Sequence, residues 1–180
     1  SDWSSDVCSS DLALPIISQM KVQCCPVLTS VFSNHTGYPS FYFDDYTEKM
    51  PSYIAEWKKL NLHFECIAAG FLGSERQIEI VKNFIRDFKD ETTKVLIDPV
   101  MGDHGRTYQT FTPEMCSQMK QLAHFADILT PNLTEACILT DTPYHDGHWQ
   151  MSELAELALS LIAMGPSKVV ITGVSMGTFI

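Results

Sequence analysis

Long apolar runs are missing from this 180-residue sequence, and nothing in it approaches the roughly 20 apolar residues that a bilayer span needs. The start also lacks the basic head and apolar core of a secretory signal, so a cytoplasmic location is expected. Positive charge is scarce: 12 Lys+Arg stand against 22 Asp+Glu, a formal net charge of −10. Such a field repels a phosphate backbone and argues against nucleic acid as a partner. The six cysteines show no C-x-x-C spacing, and of the histidines only His145 and His148 lie close together, with no cysteine at finger spacing. Neither a disulfide framework nor a zinc site is indicated; the cysteines are expected to stay reduced and to pack as small hydrophobes. There is no G-x-x-x-x-G-K-[ST], so a P-loop is not what holds phosphate here.

What is present suffices for a folded core. Hydrophobic residues make up 45% of the chain and charged residues 19%, a balance that fits one soluble globular domain. Residues 1–12 stand apart. They form a Ser/Asp-rich stretch in which Ser4-Ser5-Asp6-Val7 nearly repeats as Ser9-Ser10-Asp11-Leu12, with neither helical nor strand periodicity. They read as foreign sequence, either added in cloning or translated from an adapter, and the domain is taken as 13–180. A helix is already under way from Ala13, with Pro15 tolerable in its first turn. Beyond it, β-rich runs alternate with amphipathic helices. Strands are predicted over 24–31, 65–69, 94–98, 127–130 and 168–172, and helices over 50–60, 75–88, 113–124, 133–139 and 152–164. Ser152 with Glu153 is expected to open the last helix and Gly165-Pro166 to close it. A further strand begins at Val174. This βαβα order signals a mostly parallel sheet covered by helices.

In an open α/β sheet, ligands bind beyond the carboxyl ends of the strands. Four strand ends carry chemistry: Ser33-Asn34-His35-Thr36-Gly37-Tyr38; Gly70-Phe71-Leu72-Gly73-Ser74; Asp98-Pro99-Val100-Met101-Gly102-Asp103; and Thr130-Pro131-Asn132-Leu133-Thr134-Glu135. Each has a structural reading on its own. Asp98-Pro99 suits a turn, Asp103-His104-Gly105 a loop tip, and Asn132 with Glu135 a helix cap with its reciprocal acid. Together, two acids and an amide-plus-acid pair from neighbouring strand ends supply the hard oxygens that a hydrated Mg²⁺ bridging nucleotide phosphates requires.

D-P-V-M-G-D-x-G, T-P-N-x-x-E-A and the V-V-I-T-G strand, in this order and spacing, resemble the ribokinase-like vitamin kinases. F-S-N-H-T-G-Y-P and G-F-L-G-S narrow the resemblance to the pyridoxal kinases, over residues 13–180. The resemblance implies a ribokinase-like three-layer α/β/α fold with a mostly parallel sheet. It also implies ATP-dependent phosphorylation of the 5′-hydroxymethyl group of pyridoxal, pyridoxine or pyridoxamine, with Mg²⁺, often a monovalent cation, and a homodimer. Carried over by motif, Thr36 and Gly37 would meet the vitamin, and Phe71 would lie near its ring. Asp98 and Asp103 would face the ATP phosphates and their metal, Glu135 would organise Mg²⁺ through water with Asn132 beside it, Tyr108 would fold over the nucleotide, and Thr172 and Gly173 would meet the triphosphate or sugar. The D-P-V-M-G-D and T-P-N-x-x-E motifs also suit a hydroxymethylpyrimidine kinase. A non-catalytic nucleotide-binding remnant is the non-enzyme alternative.

Two departures bear on activity. The S-G-x-G-x-x-S-like turn of the family's opening has no counterpart in residues 1–12, and the G-[TA]-G-D motif whose Asp serves as catalytic base does not occur in the 180 residues. The fold is therefore expected to be incomplete at both ends, with no catalytic base assignable within the chain and little activity alone.

Overall fold

The computed structural model describes residues 8–34 and 38–174, with side chains from Leu14 onward. They fall in two compact units, Ser1–Leu62 and His63–Ile180.

The first unit opens with α1 (Cys8–Gln19), which contains Pro15 well inside it. This corrects two expectations: Cys8–Leu12 is helical, and the proline is not in the first turn. A helix closes its backbone bonds locally, so the lack of an amphipathic stripe in the Ser/Asp run did not preclude one. The helix ends where Lys21 turns left-handed at φ 62°. The strand expected over 24–31 is also corrected. Only Ser30–Phe32 (β1) is extended in a ladder, and it pairs antiparallel with Phe43–Asp45 (β2), placing Phe32 opposite Phe43. Pro26 has no N–H to give a ladder, and Cys24 and Cys25 are exposed rather than core cysteines. The unit ends with α2 (Met50–Lys59), which has a proline in its first turn and buries Met50 and Ile54.

The second unit is the parallel sheet. β3 (Cys66–Ala69), α3 (Glu75–Phe88), β4 (Lys94–Ile97), a hairpin of β5 (Gly102–Asp103) and β6 (Arg106–Thr107), α4 (Pro113–Ala123), β7 (Ile128–Leu129), α5 (Leu133–Thr140), α6 (Met151–Ile162) and β8 (Lys168–Val169) follow in order. Strands β3, β4, β7 and β8 lie side by side in that sequence, every pair parallel. The sheet and helix pattern bears out the α/β reading. The two-residue strands are shorter than expected, yet their ladders continue: Thr130 N donates to Ile97 O, Val170 N to Leu129 O and Thr172 N to Pro131 O.

Ser74 caps α3, its Oγ accepting from Gln77 N at 3.2 Å. Within α3, Ile78, Ile85 and Phe88 are buried, and Lys82 is buried with its Nζ bonded to Glu79 and Gln121. Ile67, Val95, Ile97 and Leu129 from the strands and Met115, Met119, Leu122, Leu157 and Leu161 from the helices are buried core residues. At α6 the acid at the third position is as expected, but the cap is Gln150, whose N–H donates to Glu153 at 2.7 Å; Ser152 sits inside the first turn. Gly165, at φ 133°, follows the end of that helix. Cys66 is exposed, whereas Cys137 is buried.

The β5–β6 hairpin turns through His104 and Gly105, both with positive φ, as a two-residue hairpin loop that matches strand twist requires. At its base a Cβ on Gly102 would stand 2.2 Å from Arg106 O and 2.8 Å from Thr107 Cα. Both are backbone atoms and cannot swing aside. Replacing Gly102 by Ala should therefore lower stability by about 1–3 kcal/mol in chemical denaturation, while Gly73→Ala, whose Cβ would meet Phe71 at an ordinary 3.6 Å, should cost much less.

Candidate functional site

Because the four strands are parallel, the segments that follow them all leave from one edge of the sheet. After β4 the chain turns at once: Asp98 N donates back to Ala69 O, and Val100 N donates to Asp98 O at 2.9 Å. This tight turn carries Met101 and Gly102, both buried, across to the start of α5.

There Asn132 and Glu135 form a capping box. Asn132 Oδ1 accepts from Glu135 N at 2.9 Å, and Glu135 Oε2 accepts from Asn132 N at 2.8 Å. The structural and functional readings of this motif are thus not alternatives. The same box receives the β4 turn: Met101 N donates to Glu135 Oε1 at 3.1 Å, and Asn132 Nδ2 donates to Gly102 O at 2.8 Å. The hairpin is tied at its tip as well, where Gly105 N donates to Thr134 Oγ1 at 2.8 Å. A parallel bridge joins Asn132 to Thr172, which sets Thr172 and Gly173 beside the box, both exposed. Gly173 turns left-handed at φ 69° into open space.

Glu135 is 3% exposed. Burial pushes its carboxyl up to about 7, against the N–H groups of Asn132, Met101 and Gly102, which favour the anion; the negative charge of Asp98 adds to the rise. Asp98 itself is raised by burial, partly offset by a hydrogen bond from Thr130. Two acids in one electrostatic field, both short of water, form a site that gains from a cation. Among the described residues no three His, Cys, Asp or Glu gather as a cage, so an ion there would draw its remaining oxygens from water or phosphate. That donor set, hard oxygen from one or two carboxylates with the rest open, suits Mg²⁺. The residues fit it.

The other expected residues are placed as follows. Asp103 lies on β5, but its Oδ1 accepts from the adjacent His104 N at 2.7 Å, and the carboxylate is exposed; the structure does not gather it with Glu135. Tyr108 follows the hairpin, its N–H donating to Met101 O. Phe71 sits half-buried after β3 with its ring edge-on to Phe111, centroids 6.4 Å apart, and Phe111 N donates to Tyr108 O. Thr36 and Gly37 lie outside the described residues. Sequence reasoning did not single out Thr130, Thr134 or the Met101 N–H. The two threonines stand inside the same T-P-N-x-T-E run, and their spacing around Asn132 was the available signal; a backbone donor leaves none.

The phosphomethylpyrimidine kinase family model matches residues 12–178. A pyridoxal kinase of Arabidopsis thaliana is 31% identical over 161 residues, covering 84% of this chain and 49% of that protein, so the chain spans about half the length of this relative. Among solved structures, a Bacteroides thetaiotaomicron protein assigned as a candidate phosphomethylpyrimidine kinase, crystallised with pyridoxal, is 48% identical with a TM-score of 0.85 and covers 91% of this chain and 57% of its own. The pyridoxal kinase of Lactobacillus plantarum is 28% identical with a TM-score of 0.84, covering 97% of this chain and 62% of its own. With the family model spanning nearly the whole sequence and the ribokinase-like fold shared with these structures, the chain belongs to the phosphomethylpyrimidine kinase family, among relatives that are pyridoxal kinases.

Proposed function

We propose that these residues form the nucleotide- and metal-facing part of an ATP-dependent kinase for the 5′-hydroxymethyl group of vitamin B6. The observation that carries this reading is the docking of the Asp98–Gly102 turn onto the Asn132–Glu135 box, which sets the buried Glu135 and the half-buried Asp98 in one electrostatic field at the carboxyl edge of a parallel sheet. The 48% identity to a protein crystallised with pyridoxal supports the vitamin as acceptor.

In the reaction, the hydroxymethyl oxygen bonds to the γ-phosphorus as the bond between that phosphorus and the β–γ bridging oxygen breaks; ADP leaves, and the hydroxyl proton passes to a base. Bound Mg²⁺ supplies neutralisation of the charge spread over the phosphate oxygens. Glu135 and Asp98 would hold it, with both Glu135 oxygens already oriented by backbone N–H groups. Asn132 positions the turn, Thr172 and Gly173 present backbone beside it, Tyr108 covers the nucleotide, and Phe71 gives the vitamin ring an apolar face. Asp103, on the exposed hairpin, is proposed to face the phosphates. Thr36 and Gly37 remain proposed vitamin contacts by motif. The family description, phosphomethylpyrimidine kinase, supports a second reading with an acceptor of the methylpyrimidine class, for which hydroxymethylpyrimidine is the alternative offered by the motifs. Isothermal titration of this chain with Mg·ADP, then with pyridoxal and hydroxymethylpyrimidine in turn, tests the reading: saturable, EDTA-sensitive nucleotide binding and a preference for pyridoxal are expected. Absence of nucleotide binding, or preference for the pyrimidine, would overturn it.

Three outcomes follow from the site. Glu135→Gln should weaken Mg·ADP binding by about tenfold or more, as loss of a metal-orienting carboxylate does, while pyridoxal affinity changes little. Because the folded Glu135 carboxyl is raised to about 7 from its ordinary 4.5, its contribution to stability is present in acid and is lost as pH rises from about 4.5 to about 7, a loss of about 3 kcal/mol. Urea denaturation across this range should show the loss in the native chain and not in Glu135→Gln. Finally, with no G-[TA]-G-D in the 180 residues, this chain should form pyridoxal 5′-phosphate about 10²-fold or more slowly than a complete pyridoxal kinase in a coupled absorbance assay.

A further inference from the structure

The segment between α5 and α6 also reaches the β5–β6 hairpin. A Cβ built on Gly105 would stand 2.4 Å from Tyr144 Cδ1 and 2.7 Å from its Cε1, so the phenol ring is laid directly on the glycine at the hairpin tip. Tyr144 is not loose there. It packs against the cluster of Cys137, Trp149 and Leu157, with its ring centroid 6.1 Å from that of Trp149. Trp149 is fixed in turn: its Nε1 donates to His145 O at 3.2 Å, and the His145 ring stacks on it at 4.1 Å and 12°.

The hairpin is thus gripped by two residues. Thr134 Oγ1 holds the Gly105 N–H from the start of α5, and the Tyr144 ring presses on the same residue from the α5–α6 connection. Both grips act on the turn whose base supplies the Met101 N–H to Glu135 and the Gly102 carbonyl to Asn132. A two-stranded hairpin of two-residue strands is marginal by itself in water. Its placement must come from outside.

We propose that Tyr144 is a positioning residue: seated on Gly105, it latches the β5–β6 hairpin onto the Asn132–Glu135 box and so holds the metal- and nucleotide-facing turn in its binding geometry. The role toward the nucleotide rests on the kinase reading above, whereas the latch itself does not. Tyr144 is an aromatic spacer here, so the ring matters and the hydroxyl does not. Gly105 is required twice, by its φ of 73° and by the ring above it.

Amide hydrogen exchange on the 180-residue chain separates these roles. In Tyr144→Ala the Gly105 and Met101 amides should exchange about tenfold faster or more, while Val95 and Leu129 in the central strands keep their native protection. Tyr144→Phe should restore native exchange at all four. Mg·ADP affinity measured on the same proteins should fall about fivefold or more in Tyr144→Ala and stay within about twofold of native in Tyr144→Phe. Native exchange at Gly105 and Met101 in Tyr144→Ala would overturn the latch, as would faster exchange at those two amides in Tyr144→Phe. Should Tyr144→Ala lose protection throughout, Tyr144→Leu provides the comparison: it keeps apolar bulk in the cluster but not the flat ring, and must free the hairpin amides selectively for the latch to stand. A native chain that binds no Mg·ADP would count against the kinase reading, and the exchange rates would still decide the latch.

Discussion

The second unit is organised around a carboxyl group held away from water. Glu135 is buried at the start of α5, where desolvation alone would make an anion costly, and three backbone N–H groups converge on it from two separate segments. One belongs to the helix it caps. The other two come from the turn that follows β4. The acid is therefore both the end of a helix and the anchor of a loop, and removing it would free Asn132, Met101 and Gly102 together. With Asp98 adding negative charge to the same space, the site stores electrostatic cost that a cation would relieve.

Around that anchor, the neighbouring segments serve position. Gly102 is small because Arg106 O and Thr107 Cα leave no room for a Cβ. Thr134 reaches the hairpin tip, and the parallel bridge from Asn132 to Thr172 brings the end of β8 alongside. These contacts are short-range bonds between strand-end segments, which a parallel sheet delivers to a common edge. The family to which the chain belongs gives this edge its proposed chemistry, but the geometry alone explains why the acids lie there.

Much of this was legible in the residues. Period-2 and period-3.6 patterning marked the sheet and its helices because the apolar residues are the ones that face the core, and α3 was read to its observed bounds of Glu75 and Phe88. Turn and cap chemistry placed Asn132 with Glu135 and Gly165 at element ends. Reading failed where burial is not what shapes the backbone: Cys24 and Cys25 carry strand-like neighbours but flank Pro26, and Cys8–Leu12 entered α1 without an amphipathic stripe. Spacing alone also could not tell that the Asp103 carboxylate would accept from the N–H of His104.

The sequence by itself determined the parallel α/β class, the motifs at the strand ends and the identity of the acids, because these depend on local periodicity, turn residues and side-chain chemistry. The tertiary structure alone decided which of the acids share a field. Glu135 and Asp98 do, and Asp103 is turned to its own hairpin. It also decided that Glu135 is raised to about 7 and that Tyr144 lies on Gly105. Desolvation and ring-on-backbone contact arise between residues distant in the chain, and they exist only once the sheet has brought those residues together.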